Sequence, residues 1–341
     1  MQADTPERPT AFVLGNFVQA CCWSVPRLPL PGETLVATGV HIEPGGKGLN
    51  VAVCLQRLGA KVSTLIGCGS DAAGAQLLAL LQREGVDTAH VYQLAGASGW
   101  GSGWIGADGQ NAIAVYPGAN LLLTAAHVAQ AHSAIAAAQL VYGQFETSLP
   151  AVEAAFQYAH AQGIMTVLNP SPWQAPAPAL RSHTHTLIVN EVEAQGLLAL
   201  SAPMAGSAQA SAHAVAQALA AFWTQWPAAQ RLVVTLGALG CLAFERSVAA
   251  SYWHAPAPSV QAVDTVGAGD AFASGYCAAV LAGRSVAQAL QWGNACGAYL
   301  ASQAGVLEAL PGAAKLRAML SQPGLLTPTL LSLAQKAHQS H

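Results

Sequence analysis

Charge is scarce in this chain: only 9% of its 341 residues are Asp, Glu, Lys or Arg, where about 25% is usual for a soluble domain. With 53% of the residues hydrophobic, the balance is the reverse of what keeps a chain disordered. The same poverty of charge raises the question of a membrane protein, so the uncharged stretches matter. Residues 125–145 are alanine-rich and interrupted by His127, Gln130, His132, Gln139 and Gln144, and residues 196–230 are broken by Ser, Gln, His and Pro. Neither offers the 18 or more consecutive apolar residues of a spanning helix, and no membrane association is expected.

Other absences narrow the field further. There is no basic block, and the net charge is −3, so nucleic acid finds no electrostatic footing. Met1 to Pro9 contains no apolar leader core, and a cytoplasmic location is expected. The seven cysteines form no Cys-x-x-Cys pair and read as buried free thiols in a reducing compartment. The eleven histidines include no His-Glu-x-x-His motif, and His183 and His185, either side of Thr184, read as loop residues rather than ligands.

What is present is an alternation of strand and helix signals. Ala11–Gly15 reads as a short buried strand. Val51, Cys54, Leu55 and Leu58 keep helical spacing up to a stop at Gly59. A strand at 62–67 and a helix at 71–84 follow, then a helix at 124–137, a strand at 139–143, a helix at 150–162 and strands at 164–168 and 186–190. Residues 170–180 read as a Pro- and Ala-rich loop. After a long helical stretch comes a strand at 231–236, and helices fill most of the chain beyond 267. Two β-rich pieces stand apart: 33–42, and a hairpin over 100–116 turning at 107–110. The order predicts an α/β fold with a mostly parallel sheet between helices and a second, small sheet. Residues 320–341 read as a proline-interrupted, partly helical tail.

Three segments carry chemistry. In 260–275 an apolar strand runs into the turn Gly267-Ala268-Gly269 and directly on into a helix whose first turn holds Asp270. Converging backbone N–H groups and a helix N-terminus make an anion site. A carboxylate there is a poor choice for binding a phosphate, but a suitable base for a hydroxyl attacking one. The other reading is an ordinary turn whose Asp favours a helix start. The second segment, Pro44-Gly45-Gly46-Lys47-Gly48-Leu49-Asn50, opens a helix with Lys47 and Asn50 on one face. It suits hydroxyl or phosphate recognition, or is only a glycine-rich helix start. It is not a Walker A loop, because Gly48 stands where Ser or Thr is required. In the third, Asn190 and Glu193 either cap a helix reciprocally or organise a metal-bound phosphate. The G-x-G-x-x-G match at 101–106 is followed by a turn and a strand, so it fails the context of a dinucleotide fold.

In this order the segments resemble the ribokinase (PfkB) family of carbohydrate kinases over roughly residues 11–315. The two long motifs are Gly45–Asn50 and Asp264–Asp270. Smaller matches are Pro31–Thr34, Pro117–Asn120, Leu168–Pro170, Asn190-x-x-Glu193 and Thr235–Gly237. The resemblance implies a Rossmann-like core (1–15, 44–91 and 118–341) and a β-sheet lid (16–43 and 92–117), with ATP and Mg²⁺ as co-substrates. It implies that Asp270 deprotonates the acceptor and that Gly267, Ala268 and Gly269 stabilise the transferring phosphoryl group. Gly45, Gly46, Lys47, Asn50 and Glu146 would line the substrate site. Asn190, Thr235, Gly237 and Asn294 would serve the nucleotide, Glu193 the metal, and Asp264 with the Val266 carbonyl a potassium ion.

The chain departs from the pattern where ribokinases carry an Asn and an Asp that hold the sugar: here stand Val18 and Ala20. Ribose is therefore expected not to be the preferred acceptor, unless Asn16 or Gln19 compensates. The expected activity is ATP-dependent phosphorylation of a hydroxyl on a small sugar or sugar-like metabolite. A nucleoside kinase of the same fold and a catalytically silent ligand-binding relative are the alternatives. Trp23, Trp100 and Trp104 in the lid either contact a less polar substrate or pack a homodimer, which the lid's apolar strands favour.

Overall fold

The computed structural model describes residues 8–333, except 109, 205, 249, 323 and 324. Strands run in chain order as β1 Thr10–Leu14, β2 Val18–Val25, β3 Gly39–Gly45, β4 Lys61–Gly69, β5 Asp87–Leu94, β6 Gly99–Gly106 and β7 Asn111–Tyr116. They continue as β8 Leu140–Gln144, β9 Met165–Asn169, β10 Thr186–Val189, β11 Arg231–Thr235, β12 Cys241–Glu245, β13 Ser251–Ala255 and β14 Thr329–Ser332. The helices are α1 Lys47–Arg57, α2 Ala72–Glu84, α3 Ala125–Gln130, α4 His132–Ala136, α5 Leu149–Ala161 and α6 Pro178–Ser182. The remaining ones are α7 Glu191–Leu197, α8 Ala208–Gln225, α9 Ala268–Leu281, α10 Val286–Ala301 and α11 Ala313–Leu320.

Ten strands form one sheet in the order β14-β13-β12-β11-β10-β9-β8-β1-β4-β5. Pairing is parallel from β11 through to β5 and antiparallel among β11, β12, β13 and β14. Its central strands are apolar on both faces, as β8 shows with all five residues buried, because helices cover both sides. One apolar cluster joins α1, α2, α9, α10 and α11 to one face; the other joins α3 to α8 to the opposite face. After β1 the chain builds outward through β4 and β5, then returns to lay β8 on the other flank of β1. The carboxyl ends of β1 and β8 therefore mark the switch point where open α/β sheets bind ligands.

The small sheet has the order β3-β2-β6-β7. Its β2–β6 pair is parallel and the other two pairs are antiparallel. The G-x-G-x-x-G decoy lies inside β6, paired on both sides.

Several expected elements need correction. β2, β5, β12 and β13 carry too few alternating residues to stand out from their neighbours. The strand expected at 33–42 starts only at Gly39, because Glu33 instead closes a turn, pairing with Arg27 at 2.5 Å and accepting from Leu30 N at 2.9 Å. β5 continues to Leu94 in the large sheet, so the small sheet's second segment begins at Gly99 rather than 92. The 124–137 helix breaks at Ala131 into α3 and α4. The 170–180 loop gives way to α6 at Pro178. In the tail, β14 extends the large sheet. The expected hairpin turn includes Gly109, and the tail expectation and the 1–15 core segment include 334–341 and 1–7, all outside the described residues. All seven cysteines are free thiols, and only Cys22 is not fully buried. Among the described residues no helix is long and apolar enough to cross a membrane.

Candidate active site

The site is assembled where β1 ends. A Cβ on Gly48 would lie 2.1 Å from the Gly15 Cα, so only a glycine pair lets the start of α1 press against the end of β1. Asn16 then caps α1 from outside its own segment: its carbonyl accepts from Leu49 N at 3.1 Å and its Oδ1 from Gly48 N at 2.9 Å. Gly46 supplies the entry bend at φ 117°, and a side chain there would strike the Asn16 carbonyl. Asn16 Oδ1 also accepts from Gln144 Nε2 at 2.9 Å, and its Nδ2 donates to Glu146 Oε2 at 2.8 Å. Gln144 in turn accepts from the Glu146 backbone N–H. The ends of β1 and β8 are thus one hydrogen-bonded unit.

From this unit α1 projects two side chains toward α9. Asn50 Nδ2 donates to Asp270 Oδ2 at 2.8 Å, and Lys47 Nζ lies 3.9 Å from Glu146 Oε1. Asn50 and Asp270 are 5% and 6% exposed, which puts this polar pair inside the protein. Burial pushes the Asp270 carboxyl above its ordinary value, while the Lys47 ammonium and then the Asn50 hydrogen bond pull it back. Lys47 is correspondingly raised, above all by Asp270. Burial also raises Glu146, with Lys47 opposing. Lys47 and Asn50 therefore hold a buried carboxylate whose affinity for a proton is enhanced, a property that suits a general base.

Gly267 precedes α9 in the left-handed region at φ 75°. A Cβ there would meet Val306 Cγ1 at 2.5 Å, whereas one on Gly269 would meet nothing within 4 Å. Ala268 N is turned to the Thr265 carbonyl at 3.3 Å. The N–H groups of Gly269 and Asp270 have no partner among the described residues. Unpaired donors at a helix N-terminus facing open space fit an anionic phosphoryl group.

The remaining expected site residues are placed differently. Asn190 and Glu193 form the reciprocal cap of α7, with Asn190 Oδ1 accepting from Glu193 N at 2.8 Å and Glu193 Oε2 from Asn190 N at 2.9 Å. Asn169 Nδ2 adds a bond to Glu193 at 3.3 Å. Glu193 is buried and contributes to the electrostatics of both Lys47 and Asp270. Thr235 Oγ1 reaches the Val189 carbonyl at 3.4 Å, and Gly237 turns the chain after β11 at φ 53°. Asn294 is spent on the carbonyls of Ala255 and Pro256, at 2.7 and 3.2 Å. Asp264 Oδ1 accepts from Val266 N at 2.9 Å. The hydrogen bonds of Thr235, Gly237, Asn294 and Asp264 do not run to the Asp270 cluster.

Neither expected substitute for the missing sugar ligands is available. Asn16 is occupied as the cap described above. Gln19 lies between Val18 and Ala20 in β2, and alternation turns it to the other face. Residues missed on sequence are Gln144 and the capping role of Asn16; an Asn directly after a buried strand was the one local signal for the latter.

The model of the pfkB family of carbohydrate kinases matches residues 12–313. A ribokinase of Haemophilus influenzae is 32% identical over 305 residues, spanning 89% of this chain and 96% of that protein. A deoxyribokinase of Salmonella typhi is 30% identical over 254 residues, spanning 72% and 77%. The solved Arabidopsis thaliana ribokinase complexed with ribose and ATP superposes with a TM-score of 0.82 over 93% of this chain and all of that one, at 23% identity. The chain belongs to the pfkB family of carbohydrate kinases. It is an ATP-dependent sugar kinase of ribokinase-like fold.

Proposed function

We propose that this kinase transfers the γ-phosphoryl group of ATP to a hydroxyl of a pentose-sized sugar, with Asp270 as the base. The observation that carries the reading is the buried Asn50–Asp270 pair at the mouth of a helix whose Gly269 and Asp270 N–H groups lack partners among the described residues. Asp270 takes the proton of the attacking hydroxyl. The N–H groups of Gly269 and Asp270, with the Gly267 turn behind them, receive the phosphoryl oxygens, and Lys47 offsets the charge between Asp270 and Glu146. Gly45, Gly46 and Asn50 face the acceptor, with Glu146 holding Lys47.

Asn190, Thr235, Gly237 and Asn294 serve the nucleotide in this reading, three of them by holding the backbone it rests on. Mg²⁺ would supply charge neutralisation between phosphates. Such an ion would be held mainly by the phosphates, with Glu193 in support. Asp264 and the Val266 carbonyl are the proposed potassium ligands. The small sheet acts as a lid that excludes water during transfer, the protein works as a homodimer through that sheet, and it acts in the cytoplasm.

Ribose and deoxyribose, the substrates in the names of the relatives, are the first acceptors to test. Val18 and Ala20 disfavour ribose as the preferred one. A coupled ADP-release screen over pentoses, hexoses, sugar phosphates and nucleosides is the test. Turnover confined to nucleosides would replace the sugar reading, and no turnover with any acceptor would leave a silent binding protein.

A further inference from the structure

Resting on the sugar-kinase reading, we infer that Glu43 is the specificity-determining carboxylate of this enzyme, binding acceptor hydroxyls from β3 in place of residue 20 on β2. Val18 and Ala20 share one face of the small sheet with Gly45, Gly101 and Glu43. A Cβ on Gly45 would touch Ala20 Cβ at 3.5 Å and Val18 Cγ2 at 3.8 Å, and one on Gly101 would touch Val18 Cγ2 at 3.9 Å. That face leads directly into Gly46 and Lys47, and most of it offers no polar side chain for a sugar. Glu43 is the carboxylate on this face, with His41 and Ser24 farther along it, and it stands directly opposite Ala20 in the β2–β3 register. Opposed residues in an antiparallel pair have Cβ atoms about 5 Å apart, a distance that a Glu side chain, one methylene longer than Asp, can largely span. A carboxylate absent from β2 is thus restored from its neighbour.

The state of that carboxylate points to a ligand. The Glu43 side chain is only 18% exposed, and among the described residues the basic group beside it is His41 Nε2 at 3.7 Å. No hydrogen-bond donor reaches it among the described residues. A carboxylate has about four acceptor positions, which at Glu43 remain open to outside donors. Sugar hydroxyls are such donors. Glu43 borders a cavity of about 440 Å³ that His41, Pro44, Gly305 and Val306 also line, within the 300–1,000 Å³ range of small-molecule sites. Across it, a Cβ on Gly305 would lie 4.0 Å from Glu43 Oε2, and Val306 is the residue packed on Gly267. The cavity therefore adjoins the phosphoryl turn. The neighbouring Cys22 thiol is raised by burial and then by Glu43 and, more weakly, by Asp264, consistent with this face looking toward that turn.

The test compares wild type, Glu43→Gln and the double variant Glu43→Gln/Ala20→Asp. Its probes are D-ribose and 2-deoxy-D-ribose, read both by steady-state kinetics and by sugar-induced thermal shift of the ADP-bound protein. Glu43→Gln is expected to raise the sugar KM at least about tenfold while the ATP KM stays within about twofold, and to abolish the sugar's thermal shift. Ala20→Asp should return both toward wild type, with the larger gain on D-ribose. An unchanged sugar KM and thermal shift in Glu43→Gln overturns the inference. So does a variant that loses ADP binding and is not rescued by Ala20→Asp, which would mark Glu43 as structural. A wild type that binds these sugars through Glu43 but phosphorylates none would refute the kinase activity and leave the assignment of Glu43 standing.

Discussion

Asn50 donates a 2.8 Å hydrogen bond to Asp270 across 220 residues of sequence. It ties the first turn of α1 to the first turn of α9. The bond accounts for how a buried carboxylate is aimed: Asp270 Oδ2 is held by Asn50, leaving Oδ1 for an incoming hydroxyl. Asp270→Asn keeps the shape and removes the base. We expect kcat to fall by about 10²–10⁴ with the ATP dissociation constant nearly unchanged. Single-turnover kinetics beside nucleotide titration check this, and more than a tenth of wild-type kcat would remove Asp270 from the role.

The same carboxyl makes a stability prediction of opposite sign. Its native pKa is raised above the ordinary 3.8 by burial, so the folded protein binds that proton more tightly than the unfolded chain. The ionised group therefore costs stability, by nothing at pH values well below 3.8 and progressively more as pH rises through the native pKa. Asp270→Asn should raise the melting temperature at pH 7, with the gain shrinking on acidification. A variant equally stabilised at pH 3 and pH 7 would contradict this linkage.

Lys47 opposes the effect of burial on the Asp270 carboxyl. Its ammonium is the largest influence holding the Asp270 pKa down, ahead of the Asn50 bond. Lys47→Met should move the acid limb of the kcat/KM profile to higher pH, and Asn50→Leu should move it the same way by less. A profile measured between pH 4.5 and 8 decides, and an unmoved limb in both variants would separate Asp270 from the observed titration.

Gly267 and Gly269 look equivalent in the motif but differ physically. Gly267 sits at φ 75° with Val306 where a Cβ would go, while Gly269 has open space there. Gly267→Ala should destabilise the fold by about 1–3 kcal/mol. Gly269→Ala should melt at nearly the wild-type temperature, yet lose at least about tenfold in kcat/KM for ATP, because its methyl group enters the space the phosphoryl oxygens need. Denaturation midpoints with parallel kinetics separate the two effects.

How much of this was legible beforehand follows from where each constraint lies. The Gly45–Asn50 and Asp264–Asp270 segments announce themselves because helix starts and tight turns demand glycine locally. Asn190 and Glu193 were equally visible, though what the contacts establish is their reciprocal cap. By contrast Asn16 reads as any loop residue, since it caps a helix through Gly48, 32 positions away. Glu43 reads as the residue just past the strand expected at 33–42 until pairing sets it opposite Ala20. The strands β12 and β13 and the assignment of β5 to the large sheet are likewise decided by partners distant in sequence. Local chemistry was readable; cross-strand placement was not.

The small sheet supplies the last prediction. Alternation puts Trp23, Val40, Ile42, Trp100 and Tyr116 on the face opposite Glu43 and Ala20, and they remain 36%, 54%, 56%, 45% and 59% exposed. So contiguous an apolar surface on a four-stranded sheet is more than a monomer ordinarily leaves to water, and a second copy of the same face would cover it with two-fold symmetry. Wild type is therefore expected to scatter light as a dimer. Ile42→Glu places two buried charges across the symmetry axis and should give a monomer. Its melting temperature should depend less on protein concentration than that of wild type. A wild-type monomer at 50 μM, about the range where weak dimers form, would reassign that face to another partner.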